Sequence, residues 1–315
     1  MTRVAVIGAG GVGGRLGAML ARGGHDVRIL ARGATLDAIR AHGLRVRGPG
    51  EDYAVPIPRA SDDAAALGEV DMVLVTIKTW QVPGVAPRLA PLVGPSTAVV
   101  PLQNGVEAAD QLAASLGADR VLGALCHMLS WVERPGEIRW IGAPPLVTLG
   151  ARRAGQERAV EACAATLRSA TVEVQVTDAI DAALWSKLLF IAPLGAVGAV
   201  ERVPAGRFRQ APHARAELEA SMYEIAAVAA ARGVALPADT VARAMQRIDA
   251  VPEDATASMQ RDIEAGRPSE VHELIGAVVR LGRAAGVATP VSEALYVALE
   301  PLERRARDAA REAQA

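Results

Sequence analysis

Residues 2–17 read Thr-Arg-Val-Ala-Val-Ile-Gly-Ala-Gly-Gly-Val-Gly-Gly-Arg-Leu-Gly, and this stretch constrains the chain more than any other. Residues 4–7 are a short apolar, largely β-branched run, which predicts a strand. A glycine cluster stops it, and an Ala/Leu-rich helical pattern follows to about residue 22. Gly8, Gly10 and Gly13 stand in the G-x-G-x-x-G spacing of a dinucleotide-binding loop. The first glycine allows a tight strand-to-helix turn, the second lets a pyrophosphate approach the backbone, and the third lets the helix pack close to the strand. Phosphates then meet free N–H groups at a helix N-terminus, so Gly8, Ala9, Gly10, Gly11, Val12 and Gly13 together form the candidate cofactor loop. Three spaced glycines are a weak signal in a chain with 30. A second strand pattern over residues 26–30 completes a βαβ unit, and that context favours a nucleotide loop over an ordinary Gly-rich turn.

The end of the second strand selects the cofactor. An acid about 20 residues beyond the loop would hold the ribose 2′-OH of NAD. Here that tip reads Leu30-Ala31-Arg32, with no acid. Arg32 offers a planar cationic fork to a 2′-phosphate, which points to NADP; the competing reading is a solvated surface arginine.

The 315 residues suffice for two domains, each with its own core. A net charge of −1 and only 3% aromatic residues give no case for nucleic acid or a polybasic membrane contact. Cys126 and Cys163 have no metal or redox spacing and read as buried small hydrophobes in a reduced compartment. The first apolar run is strand-length rather than a secretory leader, and the uncharged stretch over residues 188–200 is short for a bilayer and holds Pro193, Gly195 and Gly198. A soluble cytoplasmic protein is expected.

Strand patterns recur at residues 44–47, 53–55, 70–77, 98–102, 121–130, 137–141, 146–149 and 172–176. Helical patterns fall at 35–42, 82–92, 107–116 and 156–169. Beyond about residue 177 only helical patterns remain, at 179–200, 214–232, 238–248, 255–264, 270–285 and 291–310, with the charged tail over 303–315 read as a solvated helix end. The expected fold is α/β: a Rossmann-type dinucleotide-binding domain over residues 1–177, then an all-α domain over 178–315. Ligands of a parallel sheet bind at the carboxyl ends of its strands, which puts Gly8–Gly13, Arg32, Lys78, Gln81 and Asn104 along one rim.

Lys187 is the most informative single residue. Ile180, Leu184, Lys187 and Ile191 share one helix face, so the ammonium sits on an otherwise apolar stripe. A desolvated ammonium gives up its proton more readily and can serve as a general acid, whereas the plainer reading is a lysine snorkelling to water. Lys78 ends a buried strand and can bind phosphate or simply face solvent. Asn104 precedes Gly105, and Asn-Gly is first a turn signal. Glu270 stands where a helix begins, a place that favours an acid without any function. Ser258 and Asp262 are helical neighbours at i, i+4 with a solvated alternative. His127, between Cys126 and Met128, reads as a core histidine without a second metal ligand at the right spacing.

Several of these segments together resemble the ketopantoate reductases (2-dehydropantoate 2-reductases). They are the loop from Val4 to Gly13, the run Leu74-Val75-Thr76-Ile77-Lys78-Thr79-Trp80-Gln81, then Gln103-Asn104-Gly105, Leu184-Trp185-Ser186-Lys187-Leu188, and Ser258-Met259-Gln260-Arg261-Asp262-Ile263 leading to Ser269-Glu270. The order and spacing match over nearly the whole chain. The resemblance implies a 6-phosphogluconate-dehydrogenase-like helical second domain and NADPH-dependent reduction of a 2-oxo acid, the small-molecule partner, to a 2-hydroxy acid; a homodimer is compatible with it. It implies Lys187 as general acid and Glu270 beside it, orienting the cofactor ribose and the lysine. Asn104 would contact nicotinamide ribose and substrate, Lys78 and Gln81 the nicotinamide end, Arg32 the 2′-phosphate, and Ser258 the substrate carboxylate region.

The chain also departs from that family pattern. Asparagines that would bind substrate four and eight residues after the lysine are Ile191 and Gly195 here, and a third corresponds to Ala205. An unpaired buried polar group costs about 1–3 kcal/mol, so a bulkier or more apolar 2-oxo acid is expected to compete with 2-dehydropantoate. Two further alternatives are a reductase of another carbonyl or imine using the same lysine, and an NADPH-binding sensor without turnover. Retention of Lys187, Asn104 and Glu270 together argues against the sensor.

Overall fold

The computed structural model describes residues 1–312. It opens with β1 (Arg3–Ile7), α1 (Gly11–Arg22), β2 (Asp26–Leu30) and α2 (Gly33–His42), the βαβ unit expected around the glycine loop. Then come β3 (Leu44–Gly48), β4 (Glu51–Val55), β5 (Arg59–Ser61), β6 (Val70–Val75), α3 (Val82–Val85), β7 (Val93–Pro101), α4 (Ala108–Leu116), β8 (Gly123–Arg134), β9 (Glu137–Gly150), α5 (Glu157–Ser169) and β10 (Glu173–Val176). The rest is helical: α6 (Ile180–Glu201), α7 (Ala205–Phe208), α8 (Pro212–Ala231), α9 (Thr240–Ala250), α10 (Ser258–Glu264), α11 (Ile275–Ala285) and α12 (Pro290–Glu312).

The chain divides into two compact units. One is Met1–Gln103 with Ala108–Ile180; the other is Asn104–Glu107 with the chain from Asp181 onward. Residues 104–107 thus group with the helices, although they lie in the middle of the first unit's sequence.

The first unit holds two sheets. One is fully parallel, in the order β5-β2-β1-β6-β7. Its central strands are covered on both faces: Val4, Ala5, Val6 and Ile7 are all at most 1% exposed, which explains their unbroken apolar run. The second sheet is built on β9, where a single 14-residue strand replaces the two expected ones. Its first part pairs with β3 and its last part with β10, both parallel, while β8 runs antiparallel along it. Pro144 and Pro145 are tolerated because they fall between the β3-paired and β10-paired segments, where the β8 register also shifts.

Residues 82–92 also differ from expectation. Only one α-turn forms before the chain tightens into 3₁₀ turns: Pro83 is tolerated in the first turn, but Pro87 and Pro91 each remove a donor that a continued α-helix would use. Cys126 and Cys163 are buried, as expected, and burial pushes the Cys163 thiol up to about 12. His127 is exposed and is not a core residue: strand alternation turns it outward beside inward-facing Cys126.

The second unit is organised on α6. Leu188, Leu189, Ala192, Ala196 and Val197 are fully buried in one cluster with Phe208, Met222, Ile225 and Ile275. The helix is longer than the apolar stretch read from sequence and would pass for a membrane span by length and composition, yet these side chains form the core of the unit. Two expectations about the later helices are corrected. Glu270 lies in a turn ahead of α11 rather than in a helix, since α11 begins at Ile275. Glu303 is 1% exposed rather than solvated; residues 313–315 of the tail lie outside the described residues.

Candidate active site

The loop after β1 owes its shape to missing side chains. Gly8 has φ +93°, where a Cβ would be strained, and that Cβ would lie 2.7 Å from Ile77 Cγ2. A Cβ on Gly13 would stand 2.1 Å from the Gly8 carbonyl and 2.2 Å from Thr76 Oγ1, so α1 packs as closely as a bare backbone permits. At Gly10 the opposite holds: nothing lies within 4 Å of a Cβ placed there. Gly10 is also the N-cap of α1, with no side-chain cap and no acid in the first turn. The uncapped helix N-terminus is open on the Gly10 side, while at Gly11 a Cβ would stand 2.3 Å from the Ser130 carbonyl; the free N–H groups and positive dipole beside Gly10 fit a dinucleotide pyrophosphate. Ala9 is 5% exposed and Val12 packs on the same core, so both offer backbone rather than side chain to a ligand.

Gly8, Arg32 and Lys78 follow the carboxyl ends of β1, β2 and β6, which are adjacent in the order β2-β1-β6. The Arg32 side chain is exposed at its strand tip, with its backbone capping α2. Half-buried Lys78 opens a tight turn in which its N–H donates to Gln81 Oε1 at 3.1 Å and its carbonyl accepts from Gln81 N–H at 2.9 Å. The amide oxygen of Gln81 thus has a structural partner in its own turn.

Two further residues of these motifs, Thr76 and Gln103, hold the backbone at the rim. The Thr76 hydroxyl donates to both the Ile7 carbonyl (2.8 Å) and the Gly8 carbonyl (2.7 Å), fixing the start of the glycine loop from the neighbouring strand. Gln103 is 6% exposed, and its amide nitrogen donates to the Val75 and Ile77 carbonyls at 2.9 and 3.1 Å, tying down the backbone that leads to Lys78. The available signal was a hydroxyl and an amide at the ends of otherwise apolar strands.

The second unit carries the other candidates. Lys187 is half-buried on α6, and the residues one turn to either side of it, Ala183, Leu184, Phe190 and Ile191, are all apolar, with half-buried Ser186 beside it. These are helical neighbours, so the ammonium rises from an apolar stripe, as the sequence periodicity implied. Asn104 Nδ2 donates to Glu270 Oε2 at 3.3 Å, and Glu270 is only 4% exposed. Two residues 166 positions apart therefore form one amide–carboxylate pair. Ser258 is exposed at the first position of α10, and Asp262 one turn later pairs with Arg267 at 2.9 Å. Gly195 and Ala205 admit close packing: a Cβ on Gly195 would meet Met259 Cε at 2.9 Å, and Ala205, 1% exposed, donates its N–H to the Ala255 carbonyl at 2.9 Å.

A parallel sheet with this loop, followed in the chain by a helical unit bearing a lysine on an apolar face, is the construction of a dinucleotide-dependent oxidoreductase. The comparisons with known proteins narrow the class. Residues 4–154 match the family model for ketopantoate reductase PanE/ApbA, and residues 179–303 match the model for its C-terminal part. A 2-dehydropantoate 2-reductase from Mesorhizobium japonicum is 31% identical over 95% of this chain and 97% of its own length. One from Halobacterium salinarum is 32% identical over 93% and 96%. A crystal structure of a PanE/ApbA family ketopantoate reductase from Ralstonia eutropha superimposes with a TM-score of 0.88 at 33% identity, covering 97% of this chain and 99% of that one. The chain belongs to the ketopantoate reductase family. It is an oxidoreductase of the 2-dehydropantoate 2-reductase type, reducing a small 2-oxo acid with NADPH.

Proposed function

We propose that this protein reduces 2-dehydropantoate to pantoate, a step of pantothenate synthesis, with residues 1–177 holding NADPH and residues 178–315 supplying the acid. NADPH, when held there, would supply the hydride. Lys187 gives a proton to the carbonyl oxygen, and its positive charge stabilises the negative charge that develops there. Asn104 and Glu270 act as one unit beside this chemistry, the amide holding the carboxylate in a fixed rotamer. Arg32 meets the 2′-phosphate, Lys78 and Gln81 the nicotinamide end, and Ser258 the substrate carboxylate. On this reading the enzyme works in the cytoplasm, as a monomer or homodimer, with a metabolite as its partner. The observation that carries the proposal is the half-buried Lys187 on an apolar face in the same unit as the Asn104–Glu270 pair.

A second reading has a specific observation in its favour. The face of α6 beyond Lys187 offers Ile191, Leu194 and Gly195, with Met259 packed on Gly195. None of these can pair with a substrate hydroxyl, and all suit a 2-oxo acid with a bulkier apolar side chain. One experiment tests both readings: NADPH consumption with 2-dehydropantoate and a panel of apolar 2-oxo acids, beside the Lys187→Ala protein. Fast lysine-dependent turnover of 2-dehydropantoate supports the first. Preference for an apolar acid by tenfold or more in kcat/KM supports the second. NADPH binding with a silent panel overturns both in favour of a sensor.

A further inference from the structure

The segment that carries Glu270 has no regular structure of its own. Residues 267–269 are irregular, and turns follow up to Ile275. A reacting-end carboxylate on such a segment needs an external brace, and the last helix provides one. Glu303 of α12 is 1% exposed, yet ion-paired and hydrogen-bonded on both oxygens. Its Oε2 accepts the Ser269 N–H at 2.9 Å and also the Ser269 hydroxyl, while Oε1 accepts from Arg307 Nε. Arg307, one turn further along, donates through Nη2 to the Ser269 carbonyl at 3.4 Å and to both oxygens of Glu273, at 3.2 and 3.0 Å. Ser269 is thus held at its N–H, its hydroxyl and its carbonyl. Glu273 is held from the other side of Glu270. Between the two clamped residues Glu270 has one backbone course, its carbonyl accepting the Leu274 N–H at 2.9 Å.

Two carboxylates, Glu303 and Glu273, therefore share one guanidinium. Burial pushes Glu273 above the usual carboxylate range, and Arg307 opposes that push. A buried ion pair is a poor device for stability alone, since apolar residues of similar volume usually serve at least as well. What it supplies is direction: each bond fixes one atom of the turn.

We propose that Glu303 and Arg307 are positioning residues that set the place of the Glu270 carboxylate from α12. The proposal rests on the reading above, in which Glu270 works at the reacting end. The test uses the full-length enzyme and compares Glu303→Gln, Arg307→Ala, Arg307→Lys, Glu270→Gln and the double variant Glu303→Gln/Glu270→Gln. Rates with 2-dehydropantoate are expressed per NADPH-binding site, counted by titrating cofactor fluorescence, and the NADPH Kd and thermal midpoint are recorded for each variant. Glu303→Gln places an amide NH₂ against either Ser269 or Arg307. It is expected to lower kcat/KM or weaken NADPH binding at least tenfold, as is Arg307→Ala, with Arg307→Lys recovering most of the loss. In the Glu270→Gln background the Glu303→Gln change is expected to add less than threefold, because its effect passes through Glu270. A lowered thermal midpoint with unchanged kcat/KM and Kd per binding site overturns the proposal, as does full additivity in the double variant. If Glu303→Gln does not fold, the Arg307 pair decides by the same criteria. An unaffected Glu270→Gln enzyme instead overturns the assigned role of Glu270, which separates failure of that reading from failure of the brace.

Discussion

The two units place functional groups by different physical means. In the first, the proposed cofactor site is backbone: six consecutive residues, Gly8 to Gly13, whose shape comes from absent side chains and from a helix N-terminus. In the second, it is side chain. Lys187 stands on a long helix, and the Asn104–Glu270 pair joins positions 166 residues apart. A backbone site is local and carries its instructions in a short motif. A side-chain site is assembled by tertiary packing, and its instructions are scattered. The first therefore tolerates few substitutions within the motif and many elsewhere, whereas the second depends on residues that no motif contains, such as Glu303.

This contrast predicts how variants separate binding from chemistry. The largest expected effect is on Lys187→Ala: on the proposed reading it removes the general acid and lowers kcat by about 10²–10⁴-fold. NADPH affinity should stay within about twofold, since the proposed phosphate site lies in the first unit. Rates and fluorescence titration on the same preparation check this, and a parallel collapse of NADPH binding would break the division of labour between the units. Next is Gly13→Ala. Its Cβ would lie 2.1 Å from the Gly8 carbonyl, a clash with backbone that cannot swing away. Overpacking of this kind costs about 1–3 kcal/mol, and where it falls on the binding-competent shape of the loop the NADPH Kd rises by about fivefold to 150-fold while turnover at saturating cofactor falls much less. Arg32→Ala is smaller and more selective. Losing the proposed charge-assisted contact to the 2′-phosphate is expected to weaken NADPH by about tenfold and leave NADH binding nearly unchanged, so the ratio of the two dissociation constants is the quantity to measure.

The same contrast explains what was legible in the sequence. The glycine loop, the βαβ unit, the absence of an acid near Arg32 and the apolar stripe bearing Lys187 all rest on local spacing, at periods of two or 3.6 residues, and were readable. Features that depend on partners distant in sequence were not. Residues 104–107 group with the helical unit although they follow β7 directly, and nothing local marks that change. Glu270 looked like a helix start because Pro268-Ser269-Glu270 is a good N-terminal signal. The turn runs on to Ile275 because Ser269 gives its N–H and hydroxyl to Glu303 instead. Glu303 itself, in a run rich in arginine and alanine, had every local mark of a solvated residue; only the Ser269 turn and Arg307 make its burial tolerable. His127 misled for a related reason, since its neighbours are apolar and only strand register decides which way it faces.

Thr76 gives the finest test, because it belongs to the backbone site yet acts through a side chain. Its single hydroxyl hydrogen is shared between the Ile7 and Gly8 carbonyls at 2.8 and 2.7 Å, at the point where the chain leaves β1 for the φ +93° conformation of Gly8. Thr76→Val is nearly isosteric and removes only this donor. The Ile7 carbonyl keeps the backbone N–H of Thr76 at 3.0 Å, so the Gly8 carbonyl bears the loss. A net hydrogen bond is worth about 1 kcal/mol, which corresponds to a rise of about fivefold in the NADPH Kd, and Thr76→Ser should restore it. If Thr76→Val lowers kcat but leaves the Kd unchanged, the loop is not fixed by β6, and the glycines alone must determine its shape. A Kd shift reversed by serine would place a side chain, readable only from the neighbouring strand, among the determinants of the local motif.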